Sequence, residues 1–204
     1  MPTAVPTAAP TDLRAERRAD LRERILEAAW ELAERDGLTG WTLRDLGAAV
    51  GMRAPSLYTH FDGKDDIHDA MFAQGWEQLD QALHELDLSG LDDRAALIAG
   101  AEAFVDFCVA SVPRYQLLFT HVLGEWQPSP QAYAVSRRVY GHMLVQLADR
   151  CITDPAAIDL WTAVTGGLVA QQLANNRGGD RWRRLVPRAV DMFLAHTTTH
   201  RSTP

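Results

Sequence analysis

Cysteine is scarce in this chain. Cys108 and Cys151 are its only two, and neither stands in a CxxC or Cys/His spacing. That excludes a thiolate zinc module and a redox pair, and a chain of this length needs no disulfide. Both thiols are expected to be reduced, buried and apolar. No apolar run approaches the ~20 residues that cross a bilayer. The opening MPTAVPTAAPT has no apolar core, so it does not read as a secretory signal, and a cytoplasmic location is expected. No segment alternates polar and apolar residues over a useful length, which argues against strands. The G-x-S-x-G, P-loop and G-x-G-x-x-G patterns are missing, and Ser56, His60 and Asp62 crowd too closely on one segment to form a triad. Neither an enzyme nor a cofactor is expected. HFDGKDDIHD offers His60, Asp62, Asp65, His68 and Asp69, but in no metal-site spacing. Its acids suit the first turns of a helix instead, so no metal is expected there.

Lysine is scarcer still: Lys64 is the one lysine among 20 basic residues. The excess is acidic, with a formal net charge of −7. That speaks against a general nucleic-acid binder, which is usually basic. The acid is unevenly placed, however. Residues 12–64 hold 9 basic and 10 acidic residues, so most of the negative charge lies further on. Phosphate binding depends on local charge, and a distant acidic region is screened beyond about 10 Å at 0.1 M salt.

What the chain has in quantity is apolar residues, 47% of the total, at helical spacing. An all-α fold is expected. Residues 1–11 lack periodicity and read as a disordered arm. Residues 12–66 read as one domain and 67–204 as a second, larger one. Thr11 or Asp12 is placed to cap a first helix whose apolar stripe is Leu21, Ile25, Ala28, Ala29, Leu32 and Ala33, and Gly37 stops it. Thr42, with Asp45 three residues on, opens a short helix by a near capping box. Its buried side is expected to be Leu43, Leu46, Ala49 and Val50, and it ends at Gly51. A third element starts near Arg53 or Ala54, because Pro55 fits a first helical turn. Leu57 and Phe61 face inward there, and Ser56, Thr59 and His60 outward. Lys64 opens a long fourth helix. Further helices are expected near 92–111, 113–122, 129–152, 156–176 and 181–198, the last with a kink at Pro187.

Two short helices joined by a glycine-containing turn, after a longer supporting helix, make a helix-turn-helix unit. In such a unit the second helix enters the major groove. Arg53, Pro55, Tyr58, His60 and Lys64 are then gathered on one short element that lies against DNA. TLRDLGAAVGMRAPSLYTHFDGKDDI resembles the DNA-binding domain of TetR-type transcriptional regulators. The resemblance is carried by Thr42, Arg44, Leu46, Val50, Gly51, Met52, Pro55, Ser56, Leu57, Tyr58, His60, Phe61 and Lys64 and covers roughly residues 20–70. It implies that Arg44 reads a base edge, plausibly a guanine. It implies that Ala54, Pro55, Ser56 and Thr59 face bases, and that Thr42, Tyr58, His60 and Lys64 grip phosphates. Arg14, Arg17, Arg18, Arg22 and Arg24 either extend the cationic face or are merely solvated beside Glu16, Asp20 and Glu23. Gly63 departs from the Ser or Asn that often caps the fourth helix in the family. Gly47 replaces the usual alanine at a helix cost of roughly 0.5–1 kcal/mol.

The second domain is rich in aromatic residues at apolar positions, and core packing explains most of them. The resemblance implies a small-molecule cavity among them. Phe104, Phe107, Cys108, Phe119, Tyr140 and Trp161 are its expected walls, with Tyr115, His121 and His142 as further polar contacts. It also implies a homodimer through the last two helices, where Gly166 and Gly167 permit close approach. A ligand-responsive regulator follows, most simply a repressor: the dimer holds a palindromic double-stranded operator, and a small-molecule effector swings the fourth helix and releases it. The rival is an all-α ligand-binding or scaffold protein that has lost DNA binding.

Overall fold

The computed structural model describes residues 10–201, and the side chains of residues 14–197. Most of the expected arm, residues 1–9, lies outside the described residues. Among these residues nine α-helices follow one another: α1 (Pro10–Asp36), α2 (Leu43–Ala49), α3 (Ala54–Leu57), α4 (Lys64–His84), α5 (Asp93–Ala110), α6 (Val112–Phe119), α7 (Pro130–Ala148), α8 (Pro155–Asn175) and α9 (Val186–Arg201). No strand occurs among the described residues, so the fold is all-α. The chain separates into two compact units, Met1–Met71 and Phe72–Pro204, and the division falls within α4.

In the first unit, α1 begins at Pro10, before the expected capping residues. Of its expected stripe Ile25, Ala28, Ala29, Leu32 and Ala33 are buried and Leu21 is half-buried, and Leu26 and Trp30 widen it. The remaining core comes from Leu38, Trp41, Leu46, Leu57, Phe61, Ile67 and Met71. Of the expected buried side of α2, Leu46 is fully enclosed and Leu43 and Val50 are partly so. Ala49 is exposed, because the helix stops at that residue before completing another turn.

In the second unit, α5 packs against α8 and α9. Val105, Cys108, Leu147, Trp161, Val169, Val186, Val190 and Phe193 fill the space between the helices. Each of α5, α6, α7 and α8 starts at a capping side chain that accepts a backbone N–H: Asp92, Ser111, Ser129 and Asp154. The loop after α8 is fastened by a side chain. Gln172, 2% exposed, donates to the carbonyls of Asn176 (2.5 Å) and Gly179 (2.9 Å) and accepts from the N–H groups of Trp182 (2.8 Å) and Arg183 (3.2 Å).

Three expectations change here. The kink expected at Pro187 is instead a 3-10 turn at Arg183–Leu185, and Pro187 sits in the first turn of α9, where its missing N–H has no intrahelical role. Helix α7 ends at Ala148, short of 152, because the chain turns back: the N–H of Ile152 donates to the Leu147 carbonyl at 3.0 Å. That turn puts Cys151 at a left-handed φ of 57° and leaves it exposed, so only Cys108 is the buried thiol expected of both. Burial pushes the Cys108 thiol up to about 12, which keeps it protonated. Among the described residues no single helix is long and apolar enough to cross a membrane.

Candidate nucleic-acid interface

The capping box at the start of α2 is complete. The N–H of Asp45 donates to the Thr42 hydroxyl at 3.3 Å, and the Asp45 carboxylate accepts both the N–H (2.9 Å) and the hydroxyl (2.6 Å) of Thr42. Those hydrogen bonds hold the Asp45 carboxyl below the usual carboxylate range. The hydroxyl hydrogen of Thr42 is therefore already used, which leaves its oxygen as an acceptor only. Arg44, next to the cap, is exposed.

The turn between α2 and α3 explains two glycines. Gly51 takes a φ of 70°, which favours a residue without a Cβ. Gly47 was unexplained by helix propensity. A Cβ there would stand 2.9 Å from the Met52 carbonyl oxygen and 3.2 Å from the Ala54 nitrogen. The N–H of Met52 donates back to the Gly47 carbonyl at 2.8 Å. The turn thus lies directly on α2, closer than any side chain at 47 allows.

Helix α3 is a single turn with Arg53 as its N-cap and Pro55 inside its first turn. It ends at Tyr58, and the chain continues as a tight turn through Thr59 and His60. Leu57 and Phe61 are 1% and 2% exposed and anchor it. Arg53, Pro55, Ser56, Tyr58 and Thr59 are exposed, and Ala54 is half-buried. Tyr58 is 57% exposed, so its ring and hydroxyl are open to solvent. The Thr59 hydroxyl donates to the Ser56 carbonyl at 2.7 Å, so it too meets an outside group as an acceptor.

The arginines of α1 divide. Arg18 donates to the Thr59 carbonyl at 3.0 Å, and Arg22 donates to the His60 carbonyl with its guanidinium 4.0 Å over the Phe61 ring. These two brace the end of α3. Arg14, Arg17 and Arg24 are exposed. His60 is half-buried, and its Nδ1 is enclosed without a hydrogen-bond partner, so only Nε2 can meet a group from outside.

Lys64 donates to the Trp41 carbonyl at 2.7 Å and sits 4.2 Å over the Trp41 ring. Burial lowers its pKa. Gly63 before it offers no side-chain cap. Asp66 compensates by accepting the N–H of Asp62 at 3.0 Å. Of the histidines and acids in this stretch, His68 is 4% exposed and packs edge-on against Trp41 at 5.6 Å.

The exposed set is thus Arg44, Arg53, Ser56, Tyr58 and Thr59 on two short, well-anchored helices. Guanidinium groups and hydroxyls of this kind hydrogen-bond phosphate oxygens and base edges.

In the second unit, a cavity of about 180 Å³ is lined by Phe72, Leu118, Phe119, His121, Trp126 and Tyr133, among others. Ring contacts join Phe72 to Trp76 and Trp126, and Trp76 to Phe119, at 5.1–6.1 Å between centroids. Of the residues expected at a cavity, Phe119 and the polar His121 line this one. Phe104 and Phe107 are half-buried against the core, Cys108 and Trp161 lie within it, and Tyr140 is exposed on α7. The cavity wall was hard to read from sequence because Phe72, Trp126 and Tyr133 come from three segments with no shared pattern.

Residues 25–71 match the family described as bacterial regulatory proteins, tetR family. A repressor of Rhodococcus jostii, HTH-type transcriptional repressor KstR2, is 32% identical over 102 residues, which is 48% of this chain and 50% of that protein. The chain thus spans about half the length of that relative in the match. Among solved structures, a tetR-family transcriptional regulator from Streptomyces coelicolor superposes with a TM-score of 0.69 at 20% identity, over 88% of this chain and 80% of that one. FadR from Bacillus subtilis, solved with stearoyl-CoA, does so with 0.64 at 13% identity, over 85% and 97%. These two likenesses show a shared fold. With its helix-turn-helix built as described, the segment 25–71 is similar to the DNA-binding part of bacterial regulatory proteins of the tetR family.

Proposed function

We propose that the protein is a ligand-responsive transcriptional regulator, acting as a repressor, that binds a palindromic operator as a homodimer. The observation that carries the reading is the anchored α3. Leu57 and Phe61 are buried beneath it, while Arg53, Ser56, Tyr58 and Thr59 stay exposed beside Arg44. In this reading Arg44 and the residues Ala54, Pro55, Ser56 and Thr59 face bases, and Tyr58, Arg53 and His60 Nε2 contact phosphates. Thr42 and Lys64 contribute mainly by fixing α2 and the start of α4. A cytoplasmic, non-enzymatic protein fits this role.

A single helix-turn-helix reads one half-site, so a dimer is needed for a palindrome. Leu160, Ala163, Gly167 and Ala170 form an exposed apolar stripe along α8, and Met192 is exposed on α9. Among the described residues, and apart from the helix's own backbone and the adjoining residues, nothing lies within 4 Å of where a Cβ would stand at Gly166 or Gly167. Such a face suits a second copy packed closely across a two-fold axis.

The effector site is the aromatic cavity. It is smaller than the roughly 300–1,000 Å³ of ligand sites in general, so an effector must widen it. Phe72 lines it and belongs to α4, the helix that Lys64 opens. Displacing Phe72 therefore acts on α4. The ligand shifts the equilibrium only by its difference in affinity for the two forms. That FadR, a neighbour in fold, was solved in complex with stearoyl-CoA supports the reading that this chain takes a small-molecule effector. The test is duplex binding by fluorescence anisotropy, using fragments from upstream of the protein's own and adjacent genes. Salt-dependent binding to one fragment supports the reading. Indifference to all of them at low ionic strength leaves the rival, an all-α ligand-binding or scaffold protein.

A further inference from the structure

We propose that Asp80, His84 and His142 form a binding site for a divalent transition-metal ion of the zinc class. Asp80 and His84 lie four apart on α4, which puts them on one helical face. His142 comes from α7, 62 residues beyond Asp80. The three side chains offer one ligand atom each, all within 4.8 Å of one another. A single carboxylate oxygen, Asp80 Oδ1, faces the Nδ1 atoms of both histidines, at 2.8 Å from His142 and 3.2 Å from His84. The two rings meet edge-on with centroids 5.2 Å apart.

These separations suit a shared ion. Bonds of about 2.0–2.1 Å at a tetrahedral zinc place neighbouring ligand atoms roughly 3.3 Å apart. The observed separations need only small side-chain adjustments to reach that. Binding requires each Nδ1 to present its lone pair in place of a proton. His84 would give up the hydrogen bond that its Nδ1 makes to the Asp80 carbonyl at 2.9 Å. A neutral imidazole then carries its hydrogen on Nε2, an imidazolium gives one proton to solvent, and metal–ligand bonds offset the lost hydrogen bonds. Two imidazoles and one carboxylate make a borderline-soft donor set. It suits zinc, cobalt, nickel or copper, and not magnesium or calcium, which take mainly oxygen. Three protein ligands leave a fourth position for water. Entry is open, since the side chains of His84 and His142 are 63% and 45% exposed. On the same two helices Glu77 pairs with Arg138 at 3.5 Å, so Asp80 supplies the anionic ligand. The bound ion links α4 to α7.

Sequence reading expected no metal, and Asp80 and His84 alone justify that, since an i, i+4 pair is common on helices. His142 joins them only through the packing of α7. The site does not depend on the regulator reading, and its test does not use DNA.

The experiment titrates untagged, metal-free protein with Co(II) and follows visible d–d absorption, then measures Zn(II) by calorimetry. One ion per chain is expected, displaced by Zn(II) and not by Mg(II). His142→Ala and Asp80→Asn each weaken binding by more than about tenfold. Both residues are outside the hydrophobic core, and circular dichroism checks that the variants fold. Zn(II) is expected to raise the Tm of the natural chain and not that of His142→Ala. Absence of a Co(II) band, or equal affinity in the natural chain and both variants, overturns the proposal.

Discussion

The Lys64 ammonium donates to the Trp41 carbonyl at 2.7 Å while resting 4.2 Å over the indole ring of the same residue. The single lysine thus ties the first residue of α4 to the loop before α2. Lys64→Met removes a charge-assisted hydrogen bond and a cation–π contact. It should cost about 1–3 kcal/mol in urea unfolding. If its main task is this tie, the slope of log affinity against log salt for duplex binding should change by less than the ~1 expected of a lost phosphate contact.

Gly47→Ala sets two effects against each other. Alanine is the better helix former by about 1 kcal/mol. Its Cβ, however, would stand 2.9 Å from the Met52 carbonyl oxygen, which is backbone and cannot swing aside. Overpacking of this kind costs about 1–3 kcal/mol. A net destabilisation in chemical denaturation is expected. A gain in stability would show that the turn does not lie on α2 as described.

His68 gives the fold a pH dependence. Burial, aided by the Lys64 charge, pushes its imidazole down to about 4 from the usual 6.5. The folded state then binds fewer protons than the unfolded state between those values. Its contribution is present above pH 6.5 and is lost as pH falls towards 4, by up to about 3 kcal/mol. The drop in Tm over that range should be smaller in His68→Phe than in the natural chain.

Gln172→Leu keeps the approximate volume and removes all four hydrogen bonds to the loop after α8. Two N–H groups and the Gly179 carbonyl lose their partner, while the Asn176 carbonyl keeps the N–H of Gly179 at 3.0 Å, and the expected cost is about 2–4 kcal/mol. Faster hydrogen exchange at Trp182 and Arg183 would locate the loss.

Arg44→Ala and Tyr58→Phe test the DNA reading directly. Loss of a base contact at Arg44 should weaken operator affinity by about 1–3 kcal/mol and relax discrimination at one base pair. Tyr58→Phe should weaken all duplexes alike, as a phosphate contact does. Unchanged affinity in both variants would remove these residues from the interface.

Much of the first unit was legible because its signals are local. Thr42 and Asp45 lie within one helical turn, so their capping box follows from spacing, and Leu57 and Phe61 lie four apart on one short element. The division among the arginines of α1 was not legible. Arg18 and Arg22 differ from Arg14 and Arg17 only in reaching the carbonyls of Thr59 and His60, about forty residues on. Cys151 was misjudged for a similar reason. Its composition suggests burial, but the reversal after α7 turns it outward.

By itself the sequence determined the helices, the Thr42 cap, the glycine turn and the order of the helix-turn-helix, because hydrogen bonds and apolar periodicity act over a few residues. Tertiary structure alone decided which polar groups are spent internally, as Lys64 and Arg22 are, and which remain exposed, as Arg44 and Tyr58 do. It alone decided why position 47 has no side chain, and it alone set His142 beside Asp80 and His84. Those outcomes depend on distances between segments far apart in the chain, which are fixed only when the apolar faces close on one another.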